Sequence, residues 1–222
     1  MDSQAPNLEL GAPNILVIAP HPDDESIGCG GAICLHAARG HRVSAVFLTS
    51  GELGLKSLPP EQAWKVRENE ATAAGNVLGV SNLFFLRGPD SAVDQVVEDM
   101  AARLTPVLVE VNPHTVYLPH PGDSHPDHQA ALSILSLALN LWGKPPPVLW
   151  GYEVWGPMSY YDHVEDITPV MIIKLRAMRC HLSQMNQLRY DRAIQGLGAY
   201  RGAAAYACRY AEVFQNLNHL VV

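Results

Sequence analysis

Cysteine is scarce and unpaired in this chain: Cys29, Cys34, Cys180 and Cys208 are scattered among 222 residues with no C-x-x-C spacing. That argues against a disulfide-stapled scaffold or a cysteine-ligated zinc ribbon, and leaves the four thiols as packed structural residues. Positive charge is also short. Lys and Arg total 15 against 22 Asp and Glu, a formal charge of −7, so there is no basic stripe to neutralise phosphates and nucleic acid is not an expected partner. The longest uncharged apolar stretch, Ala130 to Trp142, falls short of the roughly 20 residues that a membrane-spanning helix needs, and no membrane span is expected. Residues 1–13 have neither the basic start nor the apolar core of a secretory signal. They read as a flexible arm on a cytoplasmic protein. No internal repeat or low-complexity tract interrupts the rest.

What is present is an ordinary globular composition, 48% hydrophobic and 17% charged, enough for one sizeable core. Short apolar runs at Asn14–Ala19, Val43–Leu48, Leu83–Leu86 and Thr115–Leu118 read as strands buried on both faces. Helix-period segments lie between them: Ile27–Ala38, Pro60–Leu78 and Val93–Glu110, the last with an expected interruption at Pro106. A helix over Pro126–Leu141 and a strand over Val148–Val154 follow. The tail reads as a strand at His163–Ile167, a helix over Pro169–Met185, a helical stretch at Asp191–Ala199 and a strand at Glu212–Leu217. This alternation predicts an α/β fold, a Rossmann-like three-layer sandwich with a mostly parallel sheet, because parallel crossovers usually contain a helix.

In such sheets ligands bind beyond the carboxyl ends of the strands, and there the sequence becomes polar. Pro20-His21-Pro22-Asp23-Asp24-Glu25 follows the first strand, and His120-Pro121-Gly122-Asp123-Ser124-His125-Pro126-Asp127-His128 follows the fourth. His21, Asp24 and His128 supply two imidazoles and one carboxylate, a donor set suited to a catalytic zinc with one open position. With Asp24 on the metal, the adjacent Asp23 is free to act as general base. His125, three residues before His128, can face substrate and, if cationic, stabilise an oxyanion. Asp127 is the expected carboxylate partner that orients the His125 ring or raises its pKa. His120 and Asp123 are expected at the pocket rim, as candidate substrate contacts.

Plainer readings account for less of the pattern. Either loop alone is compatible with turns and helix caps, but two acidic, histidine-bearing loops on one sheet edge are not accounted for by capping. Gly28-Cys29-Gly30 opens like a dinucleotide fingerprint, yet position six is Ile33, and Asp23, Asp24 and Glu25 would repel a pyrophosphate. Gly28, Gly30 and Gly31 instead suit close helix-to-sheet packing. His36, His41, His114, His163 and His219 lie outside both loops and read as surface or packed histidines.

The two loops and their spacing resemble the LmbE-like and PIG-L-like zinc-dependent N-acetylglucosamine deacetylases. Supporting similarity extends through Thr49-Ser50-Gly51-Glu52, Arg67-x-x-Glu70, His181-x-Ser183-Gln184 and Tyr210-Ala211-Glu212-Val213-Phe214, which makes residues 14–222 a single domain of that type. The resemblance implies one zinc ion per chain, with other divalent metals open. It assigns His21, Asp24 and His128 to the metal, Asp23 to the base, and His125 with Asp127 to the oxyanion or leaving amine. Arg67 resembles the family arginine that orients the base or grips a substrate hydroxyl; its plainer reading is an ion pair with Glu70. No residue matches the family tyrosine at the reacting carbonyl, and Tyr152 and Tyr160 are the candidates. The implied reaction removes an acetyl or other acyl group from the nitrogen of an amino sugar or its conjugate, a small-molecule substrate; the resemblance is also compatible with a homo-oligomer. Two rivals stay open here: a metal-dependent phosphoesterase, expected to hold two metals, and a catalytically inactive metal- or sugar-binding protein of the same fold.

Overall fold

The computed structural model describes residues 12–206 and 208–221; residues 1–11 of the expected arm lie outside the described residues. Five strands run parallel: β1 (Asn14–Ala19), β2 (Arg42–Thr49), β3 (Asn82–Gly88), β4 (Thr115–Pro119) and β5 (Val148–Tyr152). β6 (His163–Asp166) and β7 (Ala211–Asn216) complete the sheet, with β7 antiparallel to both β5 and β6. The order across the sheet is β3-β2-β1-β4-β5-β7-β6.

Both faces of the central strands are covered, which explains their unbroken apolar sequences. Ile15, Val17 and Ala19 of β1 face one core together with α1 (Asp24–Ala38), α2 (Pro60–Leu78), α5 (Met171–Met178) and α7 (Tyr190–Arg201). Leu16 and Ile18 face the other, with α3 (Val97–Val111) and α4 (Pro126–Trp142). Period-two alternation along one strand thus splits it between two cores. Glycines let α1 sit close: a Cβ on Gly28 would lie 2.1 Å from the Tyr152 ring, and one on Gly31 would lie 2.4 Å from Ile167. Among the described residues no helix is long and apolar enough to cross a membrane.

Three expectations about elements are corrected. α1 begins at Asp24 rather than Ile27, so Asp24 and Glu25 form its acidic first turn, a favourable place for carboxylates. α3 continues through Pro106 instead of breaking there. The expected long helix over 169–185 is two, α5 and α6 (Leu182–Met185), separated where His181 turns fully inward to meet Glu25.

The crossover after β1 places α1 against one face, and the crossover after β4 places α4 against the other. β1 and β4 are neighbours whose chains leave in opposite directions, so a crevice opens at their carboxyl ends. The two polar loops flank that crevice.

Candidate metal centre and active site

Three donor atoms converge where the loops meet. His21 Nδ1 lies 3.2 Å from Asp24 Oδ2, His128 Nε2 lies 3.1 Å from the same oxygen, and the two ring nitrogens are 3.4 Å apart. A tetrahedral zinc with ligand bonds of about 2.0–2.1 Å has donor-to-donor edges of about 3.3 Å, so this triangle fits such an ion.

Each imidazole is backed by a carboxylate. Asp127 Oδ2 sits 3.0 Å from His21 Nε2, which in the neutral ring places the proton there and turns the Nδ1 lone pair toward Asp24. Asp127 is itself held by backbone N–H donors from Ser91 at 2.7 Å and Val93 at 3.2 Å. Asp90 Oδ1 approaches the same His21 nitrogen at 3.3 Å. Asp123 Oδ1 lies 3.3 Å from His128 Nδ1. Burial alone would lower the His21 pKa, but hydrogen bonds to Asp127, Asp24 and Asp90 hold it well above the ordinary imidazole value. His128 rises to about 9 in the same way: burial opposes protonation, and the Asp24 charge with hydrogen bonds to Asp123 and Asp24 outweighs it. Despite its own burial, Asp24 is pulled well below the carboxylate range by His128 and His21.

Asp23 stands beside the triangle in a conformation rare for a residue with a Cβ, φ 137°, of a kind that costs about 1–3 kcal/mol. Its backbone N–H donates to Glu25 Oε2 at 3.0 Å, and Glu25 Oε1 meets His181 Nε2 at 3.0 Å and the Ser26 hydroxyl at 2.7 Å. Arg67 Nη2 lies 3.2 Å from Asp23 Oδ2, while the same guanidinium donates to the Gly51 and Pro22 carbonyls. Burial and the Asp24 and Glu25 charges push Asp23 up to about 6 against the pull of Arg67 and His181.

Several expected partners differ. The Asp127 carboxylate serves His21 rather than His125; only its backbone N–H reaches the His125 ring, donating to Nδ1 at 3.2 Å, so His125 caps α4. The His125 pKa is lowered, first by burial and then by the charges on His21 and His128. With Nδ1 accepting from the Asp127 N–H, the proton of the neutral ring lies on Nε2. Asp123 is not a rim residue: it is buried, and besides facing His128 it accepts backbone N–H bonds from His125 at 3.0 Å and Trp155 at 2.9 Å. His120 is buried as well, with Nε2 2.8 Å from the Gly156 carbonyl, and fixes that loop. Arg67 faces Asp23, while Glu70 binds Ser183. Tyr152 is a core residue donating to the Ile18 carbonyl, and exposed Tyr160 donates to Asp162.

The cleft, about 310 Å³, is lined on one side by Lys56, Asp90 and Ser91 from the loops after β2 and β3, and elsewhere by Trp155 and Tyr190. Tyr190, whose phenol is pushed up to about 12 by burial and by Asp23 and Asp24, gave no sequence signal because it opens α7 in the tail and follows no strand. Asp90 had one, since it too follows a strand. Asp90 and Asp127 could form a second cation-binding group with His21, and each Asp127 oxygen also accepts one backbone amide.

The family profile described as PIG-L, GlcNAc-PI de-N-acetylase, matches residues 16–139. A probable N-acetyl-alpha-D-glucosaminyl L-malate deacetylase 2 of Bacillus anthracis is 29% identical over 187 residues, covering 77% of this chain and 81% of that protein. Diacetylchitobiose deacetylase of Thermococcus kodakarensis is 31% identical over 187 residues, covering 77% and 69% respectively. The solved N,N'-diacetylchitobiose deacetylase of Pyrococcus horikoshii, in complex with an inhibitor, superposes with a TM-score of 0.80 at 26% identity, over 94% of this chain and 85% of that one.

Proposed function

Because the chain belongs to the PIG-L family of de-N-acetylases, we propose that it hydrolyses the N-acyl group of an N-acetylglucosamine-type amino sugar or conjugate, using one zinc ion held by His21, Asp24 and His128. The observation that carries this reading is the donor triangle, 3.1–3.4 Å on each edge, with the Asp23 carboxylate beside it in the same cleft. A dication bound there supplies Lewis-acid charge at the amide carbonyl and acidifies water.

The protein groups supply the rest. Asp23 takes a proton from the attacking water as the new carbon–oxygen bond forms, and returns it to the nitrogen as the carbon–nitrogen bond breaks. Acetate and a free amine result. Arg67 and Glu25 position this base: one holds the carboxylate, the other the strained backbone. His125 keeps an N–H available for the oxygen that gains negative charge, and a preorganised donor of this kind is worth about 3 kcal/mol in transition-state stabilisation. Lys56, Asp90 and Ser91 provide the hydrogen-bonding wall suited to sugar hydroxyls.

The test is acetate release from a panel of N-acetylated amino sugars by zinc-loaded protein and by Asp23→Asn, with zinc per chain measured by elemental mass spectrometry. Wild type should carry about one zinc and release acetate, and Asp23→Asn should keep the metal but lose turnover by about 100-fold or more. Absence of acetate from every sugar in the panel refutes the reading, and equal behaviour of the two proteins supports a non-catalytic binder.

A further inference from the structure

A second cavity adjoins the cleft and has a different chemistry. It encloses about 420 Å³ between α1, the segment after β5, α7 and β7, a size ordinary for small-molecule sites. Ile27, Val154, Leu188, Ile194, Leu197 and Val213 give it an apolar lining. The charged groups at its edge are already matched: Lys174 Nζ lies 2.5 Å from Glu212 Oε1, Glu153 pairs with Arg201, and Arg189 pairs with Asp191. It therefore lacks an uncommitted charge to hold a sugar or a phosphate. Trp155 and Tyr190 line both spaces, standing edge to face with ring centroids 5.8 Å apart. The cavity and the cleft thus meet at these two side chains.

We propose that this cavity receives the alkyl part of an N-acyl group longer than acetyl, so that the substrates are N-acyl amino sugars with acyl chains of several carbons. The proposal rests on the N-deacylase reading and narrows it. Its geometry follows from the amide. A trans amide is planar and directs its nitrogen substituent and its acyl carbon to opposite ends. In the sheet order, Asp90 follows β3 and Lys56 follows β2, on one side of the His21 loop, whereas Trp155 follows β5 on the other. A sugar held against the polar wall therefore points its acyl carbon at Trp155 and Tyr190, the two side chains that also line the apolar cavity. Chain extension there buries methylenes where no polar group is left unpaired. Each fully buried methylene is worth about fourfold in affinity.

The experiment compares kcat/KM of the zinc-loaded enzyme for N-acetyl-, N-hexanoyl- and N-octanoylglucosamine and for the octyl glycoside of N-acetylglucosamine. The same series is run on Leu197→Trp and on Ala193→Phe, which fill the cavity from α7. Wild type should favour hexanoyl over acetyl by about tenfold or more, allowing for incomplete burial. Leu197→Trp or Ala193→Phe should abolish that preference and leave acetyl hydrolysis unchanged. No preference for longer acyl groups, or one that survives both substitutions, overturns the proposal. A preference confined to the octyl glycoside assigns the cavity to an aglycone and likewise overturns it. Acetate release without acyl-length dependence would leave the function standing and defeat only this inference. If no substrate turns over, calorimetry with Asp23→Asn decides separately: N-hexanoylglucosamine binding about tenfold tighter than N-acetylglucosamine supports the cavity, and equal binding refutes it.

Discussion

Asp127→Asn is the sharpest test of how the metal centre is held. The native carboxylate only accepts hydrogen bonds, and it serves three donors: His21 Nε2 at 3.0 Å, Ser91 N–H at 2.7 Å and Val93 N–H at 3.2 Å. It thereby keeps the His21 proton on Nε2 and the Nδ1 lone pair facing Asp24 and His128. Asparagine has one acceptor oxygen and one donor group for the same three partners. If its oxygen stays on His21 and Ser91, its NH2 confronts the Val93 N–H. If it turns, the NH2 faces His21 Nε2 and favours the tautomer that puts a proton on Nδ1, blocking ligation. Loss of such a supporting carboxylate costs about 10–100-fold in metal affinity, or about 1.4–2.7 kcal/mol. A buried amide left unpaired adds about 1–3 kcal/mol of lost folding stability. The assay is competition for zinc against a chromophoric chelator at neutral pH, with urea unfolding in parallel and Asp23→Asn as the control that retains affinity. Unchanged zinc affinity in Asp127→Asn, or an equal loss in Asp23→Asn, would show that Asp127 does not set the His21 tautomer.

Glu25→Gln weakens the contact that holds Asp23 at φ 137°; kcat should fall by about tenfold, a cost within the strain of about 1–3 kcal/mol stored there, while KM and zinc content hold. A raised KM with unchanged kcat would contradict that positioning role. Gly28→Ala drives a methyl into the Tyr152 ring, 2.1 Å from the new Cβ, and should cost about 1–3 kcal/mol in urea unfolding; a negligible change would show that α1 is not packed as described. His36 is held down at about 4 by burial and by the His41 and Arg39 charges, opposed by Glu165, and its Nε2 lies 3.0 Å from the Tyr117 hydroxyl. A depressed folded pKa means that the unfolded chain takes the proton first, so stability is full above about 6.5 and falls as pH drops toward about 4. With screening at this partly exposed site, wild type should lose about 1 kcal/mol more than His36→Gln across that window; parallel stability curves would remove the pair from the acid response.

The fold was legible where burial leaves a pattern. Strands covered on both faces must be apolar throughout, and parallel strands need a helix between them, so β1 to β4 and their crossovers can be read from the chain. The same topology forces the loops after β1 and β4 onto one edge, which is why His21, Asp24 and His128 can be grouped from the sequence alone. Pairing within the site was less legible, because spacing gives proximity but not which atom of a residue turns inward. Asp127 lies two positions from His125, yet its carboxylate crosses to His21 and only its backbone amide reaches the nearer ring. Asp123 and His120 have the composition of rim residues and are buried supports. The break before α6 has no glycine or proline to announce it; it follows from His181 reaching Glu25, a contact 156 positions apart. What joins these cases is charge. Asp24, Asp90 and Asp123 are held below the ordinary carboxylate range although burial works against it, and burying such a group is tolerable only when positive charge is supplied nearby. Within the crevice that charge comes from Arg67 and from imidazoles drawn upward in pKa. The carboxylates that sequence reading placed at the rim or beside His125 are thus better understood as a shell whose field favours a cation at the donor triangle.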